Sequence, residues 1–266
     1  MKKIALATIF YQNAAELQRL ADSIPPKVID YWIAIDGPFR YNVEKDPNIS
    51  PKSDDGSLMV LSNSAHKFND NVIIHYKAGA TEYEKRNLYL ENCEKLKDIS
   101  VLIIVDSDEY FTYPIGGSKP VECWNRFKKN IEIDMIQNYT HNVYGINYID
   151  EAGTETYKPR VWTNPASMRY INGSHYHYAN IKTEKQDIDN FLKYRQTYCQ
   201  HCAKIIRGGV TLSHDHKLRS AEYQRRREEY QRYLVRFEEL VQSTKFTIEE
   251  AHKMAKETPS SDFQPT

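Results

Sequence analysis

The sequence predicts an α/β protein: a mixed central sheet flanked by helices, with a helical extension at the C-terminal end. Three observations predict it. Apolar runs at 3–10, 31–37 and 101–105 are too continuous for strands with one face in water. Segments of helical spacing lie between them, which gives the alternation of a doubly covered sheet. After residue 217 the chain turns into a long, highly charged stretch of helical period. These features divide it into a sheet-bearing domain over 1–217 and a helical extension with a tail over 218–266.

Taken in order, KIALATIF (3–10) reads as a buried strand, and the apolar positions of 14–24 repeat at helical spacing until Pro25-Pro26 stops them. YWIAIDG (31–37) is a second buried strand ending in Asp36-Gly37. Residues 38–70, with Pro38, Pro47, Pro51 and Lys52-Ser53-Asp54-Asp55-Gly56, read as a long loop with a short helix near Leu58–Leu61. Residues 71–79 form a third strand and 82–97 a helix. VLIIVDSDEYF (101–111) is the most apolar strand. A helix near 121–130 precedes two alternating, strand-like stretches, 133–149 and 158–178. The segment 218–242 is a helix with Tyr223, Tyr230, Leu234, Phe237 and Leu240 on one stripe, and 258–266 is a frayed tail.

Composition narrows the function classes. At 266 residues, 40% hydrophobic and 27% charged, the chain can bury a substantial core. Lys+Arg and Asp+Glu both number 36, so the basic excess of a dedicated nucleic-acid binder is absent from the totals. No run approaches the roughly 20 apolar residues that span a bilayer. The opening MKKIALATIFYQN reads as a first strand, because its apolar run is short and no small-residue cleavage site follows. Four cysteines at uneven spacing, Cys93, Cys123, Cys199 and Cys202, fit reduced thiols and a cytoplasmic protein, with a peripheral place at a membrane left open.

The chemistry-bearing motif is Asp106-Ser107-Asp108. Side chains at i and i+2 of a strand point the same way, so both carboxylates would leave the sheet together at a carboxyl end, where α/β sheets gather ligands. Two such oxygen anions suit Mg²⁺ or Mn²⁺. The competing reading is a solvated acidic turn. His214-Asp215-His216 is the second motif; on an extended segment its histidines share a face. Cys199 and Cys202 with His214 and His216 form a weaker zinc pattern, because one residue separates the histidines where structural sites have three to five.

The series resembles a family-2-type glycosyltransferase of the GT-A fold, with a Rossmann-type mixed sheet. The matching pieces are the strand holding Thr8, Asp36-Gly37, Lys85-Arg86-Asn87, and VDSDEYF, which is similar to a "DxDEF" variant of that motif. The resemblance covers about residues 3–220. It implies a nucleotide-diphosphate sugar (UDP- or GDP-linked) as donor, a glycan, lipid-linked or other hydroxyl acceptor, and Mn²⁺ or Mg²⁺. It places Thr8 at the nucleotide pocket, Asp36 at the base or ribose, Arg86 near the diphosphate or ribose, and Asp106 and Asp108 at the metal-diphosphate. His214, ahead of His216 on position, is the third metal ligand, and Lys217 and Arg219 reach phosphates. The family's usual Asp or Glu base has no clear match, so Glu109, Asp150, His175 and His177 stand as candidates. Trp162, Arg169 and Tyr170 are placed at an acceptor pocket.

Two other classes compete. A nucleotidyltransferase of similar sheet architecture also uses metal-bound carboxylates, but TIFYQNAAE lacks the Gly-rich basic loop it would need after the first strand. A non-enzymatic nucleic-acid-binding or scaffold protein could use the Arg/Lys/Tyr-rich helix 218–240, although interspersed Glu residues make that a solvated or packing helix.

Overall fold

The computed structural model describes residues 3–137, 143–170, 178–180, 204–214, 221–243 and 245–257. An eight-stranded mixed sheet with helices on both faces organises the chain, as the sequence predicts. Four parallel strands make one half: β1 (Lys3–Phe10), β2 (Tyr31–Asp36), β3 (Val72–Tyr76) and β4 (Ile99–Ile104). The other half holds β5 (Glu109–Thr112), β6 (Val143–Ile149), β7 (Glu155–Thr163) and β10 (Lys204–His214), and the order across the sheet is β3-β2-β1-β4-β7-β6-β10-β5. The short strands β8 (Met168–Tyr170) and β9 (Tyr178–Asn180) pair apart from it.

Strand alternation splits the core between the two faces. In β1, Ile4 and Leu6 join Leu17 and Leu20 of α1 (Ala14–Ser23), Leu61 of α3 (Ser57–Ser64), and Trp124 and Phe127 of α5 (Pro120–Gln137). Ala5 and Ala7 face Tyr89, Leu90 and Cys93 of α4 (Glu82–Leu96). The first turn of α4 is fixed by a capping box, in which Thr81 Oγ1 accepts from the Glu84 amide and the Glu84 carboxylate accepts from the Thr81 amide.

Three segments differ from expectation. The loop 38–70 contains α2 (Arg40–Lys45) and a one-turn 3₁₀ segment (Ala65–Phe68) besides α3. Residues 133–137 complete α5 instead of opening a strand, with Ile133 and Ile136, at helical spacing, both exposed. The strand read through 101–111 is broken, since β4 stops at Ile104 and β5 starts at Glu109, leaving Asp106-Ser107-Asp108 in a turn.

β10 pairs parallel with β6 and antiparallel with β5, with a register shift between Ile206 and Thr211. Gly208 and Gly209 make that shift possible. A Cβ on Gly208 would lie 2.7 Å from Phe127 Cα, and Gly209 has φ +76°. The strand's end then falls in register with β5, so that His214 stands opposite Glu109.

The extension forms α6 (Ala221–Gln242) and α7 (Ile248–Glu257), joined through Phe237, Leu240, Ala251 and Ala255. Tyr230 stacks on Phe39 with ring centroids 5.0 Å apart and an interplanar angle of 4°. Tyr233 stacks on Tyr41 at 4.8 Å, so α6 covers α2 with aromatic surface. Among the described residues, no helix is long and apolar enough to cross a membrane.

Candidate active site at the β4–β5 turn

The turn leaving β4 closes with the Glu109 amide donating to the Asp106 carbonyl at 3.0 Å, while the Glu109 carboxylate accepts from the Asp106 amide at 2.9 Å. Strand alternation therefore does not govern Asp106 and Asp108, and the two engage different partners. Asp106 Oδ1 accepts from Arg86 Nη2 at 3.1 Å, and Asp106 Oδ2 from Arg160 Nη2 at 2.6 Å. Asp108 Oδ2 lies 2.6 Å from His214 Nε2. Glu151, at the tip of the β6–β7 hairpin, has Oε1 3.9 Å from His214 Nδ1. Arg19 of α1 donates to the Asp108 carbonyl at 3.3 Å and stacks over Tyr110, bracing the turn from the other side.

Behind the turn runs a chain of alternating charge. Glu82 holds Arg86 at 2.7 Å, Arg86 holds Asp106, and Arg160 holds both Asp106 and Glu109, the latter at 2.5 Å. Burial acts to lower the Arg160 pKa, but Asp106 and Glu109 beside it raise it well above the usual arginine value. Glu109 is 1% exposed; burial pushes its pKa up to about 7 despite Arg160. Lys158, two residues along β7, sits over the Tyr148 ring at 3.8 Å, and its pKa is lowered by burial and by Arg160.

Most of the other site residues read from the sequence are engaged by neighbouring groups. Arg86 is buried and bonded to Glu82, Tyr89 and Asp106. Asp36 is 0% exposed, and its oxygens accept from the Ser53 amide at 2.9 Å and the Ser53 hydroxyl at 2.7 Å. It anchors the loop 38–56 through Ser53. Next to it, Lys85 donates to the Gly37 carbonyl, and burial pushes its pKa down to about 7 although Asp36 and Glu82 oppose this. Thr8 is buried, and its hydroxyl accepts from Trp32 Nε1 at 3.1 Å. Glu109 is enclosed by Arg160 and the turn. Asp150 caps the β6–β7 turn by accepting from the amides of Ala152 and Thr154. Trp162 and Tyr170 stack at 5.0 Å within the core, and Arg169 pairs with Glu94. His175, His177, Lys217, Arg219, His216, Cys199 and Cys202 lie outside the described residues.

The metal set of Asp106, Asp108 and His214 does not form as a trio. Among the described residues no group of three His, Cys, Asp or Glu side chains is placed to hold a metal ion, because the two guanidinium groups occupy Asp106. Asp108 and His214 remain, and a carboxylate oxygen beside an imidazole nitrogen fits Mn²⁺ or a similar divalent ion.

Arg160 was missed in the sequence. One arginine between Pro159 and Val161 in a strand-like stretch gives no periodic signal, and its partners lie 51 and 54 residues away. Glu151 was missed likewise, as an ordinary turn acid.

The fold and this rim together define an α/β protein with a mixed sheet and an acid–imidazole pair where the β4–β5 turn meets the end of β10. No protein-family model and no curated protein sequence matches the chain. Among solved structures, glucosyl-3-phosphoglycerate synthase from Mycobacterium tuberculosis, in complex with Mn²⁺, UDP-glucose and phosphoglyceric acid, is similar over 91% of this chain and 79% of its own, at 11% identity and a TM-score of 0.48. S. aureus TarS 1-349 in complex with UDP is similar over 58% of this chain, at 15% identity and a TM-score of 0.38. A cytidylyltransferase from Leptospira borgpetersenii is similar over 61% of each chain, at 10% identity and a TM-score of 0.35. This chain spans 23% of one S. aureus TarS structure and 38% of TarS 1-349. At these identities and scores the likeness says nothing of ligand or reaction.

Proposed function

We propose that the chain is a nucleotide-sugar glycosyltransferase of the GT-A type, moving a sugar from a UDP- or GDP-linked donor to a hydroxyl acceptor. The observation that carries this reading is the 2.6 Å approach of Asp108 to His214 at the rim of the sheet. Two residues 106 positions apart meet there because β10 ends in register with β5. Such an approach between a turn acid and a strand-end imidazole has no packing value that an apolar pair would not supply better.

Asp108 and His214 are the residues that would hold a divalent cation. When bound, that cation supplies positive charge to a departing nucleoside diphosphate. Arg86 and Arg160, paired with Glu82, Asp106 and Glu109, hold the acidic turn in place behind that pair. Arg160 and Glu109 keep the turn's shape, and Arg19 holds the Asp108 carbonyl. Glu151 adds a second carboxylate 3.9 Å from the other ring nitrogen of His214. The base that takes the acceptor's proton is assigned to none of the described acids, since Glu109 and Asp150 are both engaged.

The test is direct. With Mn²⁺ present, calorimetric titration of UDP- and GDP-sugars onto the full chain is expected to show binding, and incubation to show slow donor hydrolysis. Asp108→Ala and His214→Ala are each expected to weaken Mn²⁺ binding by at least about tenfold, the loss that even an outer-shell partner brings. Absence of donor binding, or unchanged Mn²⁺ affinity in both variants, would remove the reading.

A further inference from the structure

We infer that residues 46–56 are a strap shut over the carboxyl ends of β1 and β2, and that the helical extension α6–α7 is the clasp that keeps it shut. Burial separates the strap from its two anchors. Between Asp46 and Gly56 only Ser53 is buried, so the segment lies on the sheet without an apolar core of its own. Polar contacts hold it there. Ser53 bonds to Asp36 and its hydroxyl accepts from the Gln12 amide at 2.9 Å. The Tyr11 hydroxyl donates to the Ser50 carbonyl at 2.9 Å, and Gln12 Nε2 donates to Asp54 at 2.6 Å. A segment with exposed hydrogen bonds and little apolar burial opens locally at low cost.

Downstream, the strap runs into α3, whose Val60 and Leu61 sit in the core. Upstream, it leaves α2, and α2 is gripped from outside the sheet. Tyr230 stacks on Phe39 and Tyr233 on Tyr41. Lys45 pairs with Glu229 at 3.2 Å, while Glu44 receives Lys256 at 2.6 Å and lies 3.4 Å from His252. Phe237, Leu240, Ala251 and Ala255 give α6 and α7 a small core separate from the two that flank the sheet. The extension is thus a body packed on its own account, and its grip falls on Phe39 and α2. Releasing α2 would free 38–56 as one piece.

A second observation points to an open form. Asn13 is 2% exposed beneath residues 53–57, with its own amide tied to Ser57 Oγ. Its Oδ1 accepts from the Tyr11 amide, but its Nδ2 is buried with no hydrogen-bond partner among the described residues. An orphaned buried donor is a cost of the shut form, and lifting the strap offers it water or a ligand oxygen. The strand ends underneath lie where α/β sheets gather ligands, and β1 is the direct neighbour of β4. The inference rests on the proposed function only in naming a nucleotide as the ligand that gains entry. The fraction of chains with the strap open then sets the apparent affinity.

The probe is UDP with Mn²⁺ on the full chain, read by amide exchange over 46–56 and by calorimetric affinity. Tyr230→Ala removes the stack on Phe39, worth about tenfold in an equilibrium. Without ligand, exchange over 46–56 is expected to quicken by about that factor, and UDP to bind more tightly by the same factor. Ser53→Ala unties the strap from the other side and is expected to move both readouts in the same direction. In the native chain, bound UDP is expected to quicken exchange of the Ser53 amide, whose acceptor is Asp36. Thermal melting verifies folding. If Tyr230→Ala does not fold, Glu44→Gln, which loosens Lys256 and His252 from α2, takes its place with the same expected direction. Unchanged exchange over 46–56 in the folded clasp variant overturns the clasp. UDP affinity unchanged in both variants, or slower exchange of the Ser53 amide with UDP bound, overturns the strap as a gate. Failure of UDP to bind any variant removes the proposed function, and exchange in the ligand-free chains then decides the clasp by itself.

Discussion

Two acids end two buried parallel strands on the same side of this sheet, and they meet different fates. Asp36 at the end of β2 is sealed: Ser53 folds back onto both its oxygens, and the loop 38–56 shuts over it. Asp106 beyond the end of β4 stays open to water on one side and is held by two arginines on the other. A strand end is a place where chemistry can be mounted, but the next segment decides whether it is. After β2 comes a long loop carrying a serine at the right reach; after β4 comes a four-residue turn too short to cover anything. Polar neutral donors close the first acid, whereas full charges brace the second.

Breaking the charged end is expected to have the largest effect. Arg160→Met leaves Asp106 and the buried Glu109 without their shared cation, and stability is expected to fall by about 3–5 kcal/mol, the cost of orphaning a buried pair. Urea denaturation of the full chain measures it; a loss below about 1 kcal/mol would mean that the two ends are alike after all.

Next comes a pH dependence belonging to the sealed end. Lys85 has its pKa pushed down to about 7 in the folded chain, from an ordinary value of 10.5. The unfolded chain therefore binds the proton more readily, and Lys85's share of stability is present above pH 10.5 and lost as pH falls toward 7. Denaturation midpoints across that window are expected to rise with pH in the native chain and to flatten in Lys85→Met. An unchanged slope in the variant would place the lysine in contact with water.

The smallest effect is expected at Asp36 itself. Asp36→Ala strips the Ser53 amide and hydroxyl of their acceptor, costing about 1.5–3 kcal/mol. Amide exchange is expected to quicken across 38–56 while Mn²⁺ binding stays unchanged. Altered metal affinity in that variant would show that the sealed end communicates with the open one.

Much of this was legible in the residues. The apolar runs marked β1, β2 and β4, and the motif at 106–108 was found because five apolar residues deliver it to the rim. His214 was placed by its position near the close of the sheet-bearing segment. What could not be read was pairing across distance. Arg160 looks like any strand arginine until β7 is laid antiparallel to β4. The turn at Asp106 reads as strand because Glu109-Tyr110-Phe111 continues a β-like composition past the break. Asp36 has the same local signature whether or not a serine 17 residues later returns to it.

The placement of β10 has a consequence for how the molecule comes into being. His214 reaches Asp108 only when β10 slots between β6 and β5, the last strand of the sheet to be synthesised and the one that joins its edge to its middle. The turn that awaits it leaves the ribosome more than a hundred residues earlier. Until that insertion Asp108 has no imidazole beside it, so in a nascent chain, or one cleaved ahead of β10, the pair proposed to hold a cation is not yet assembled.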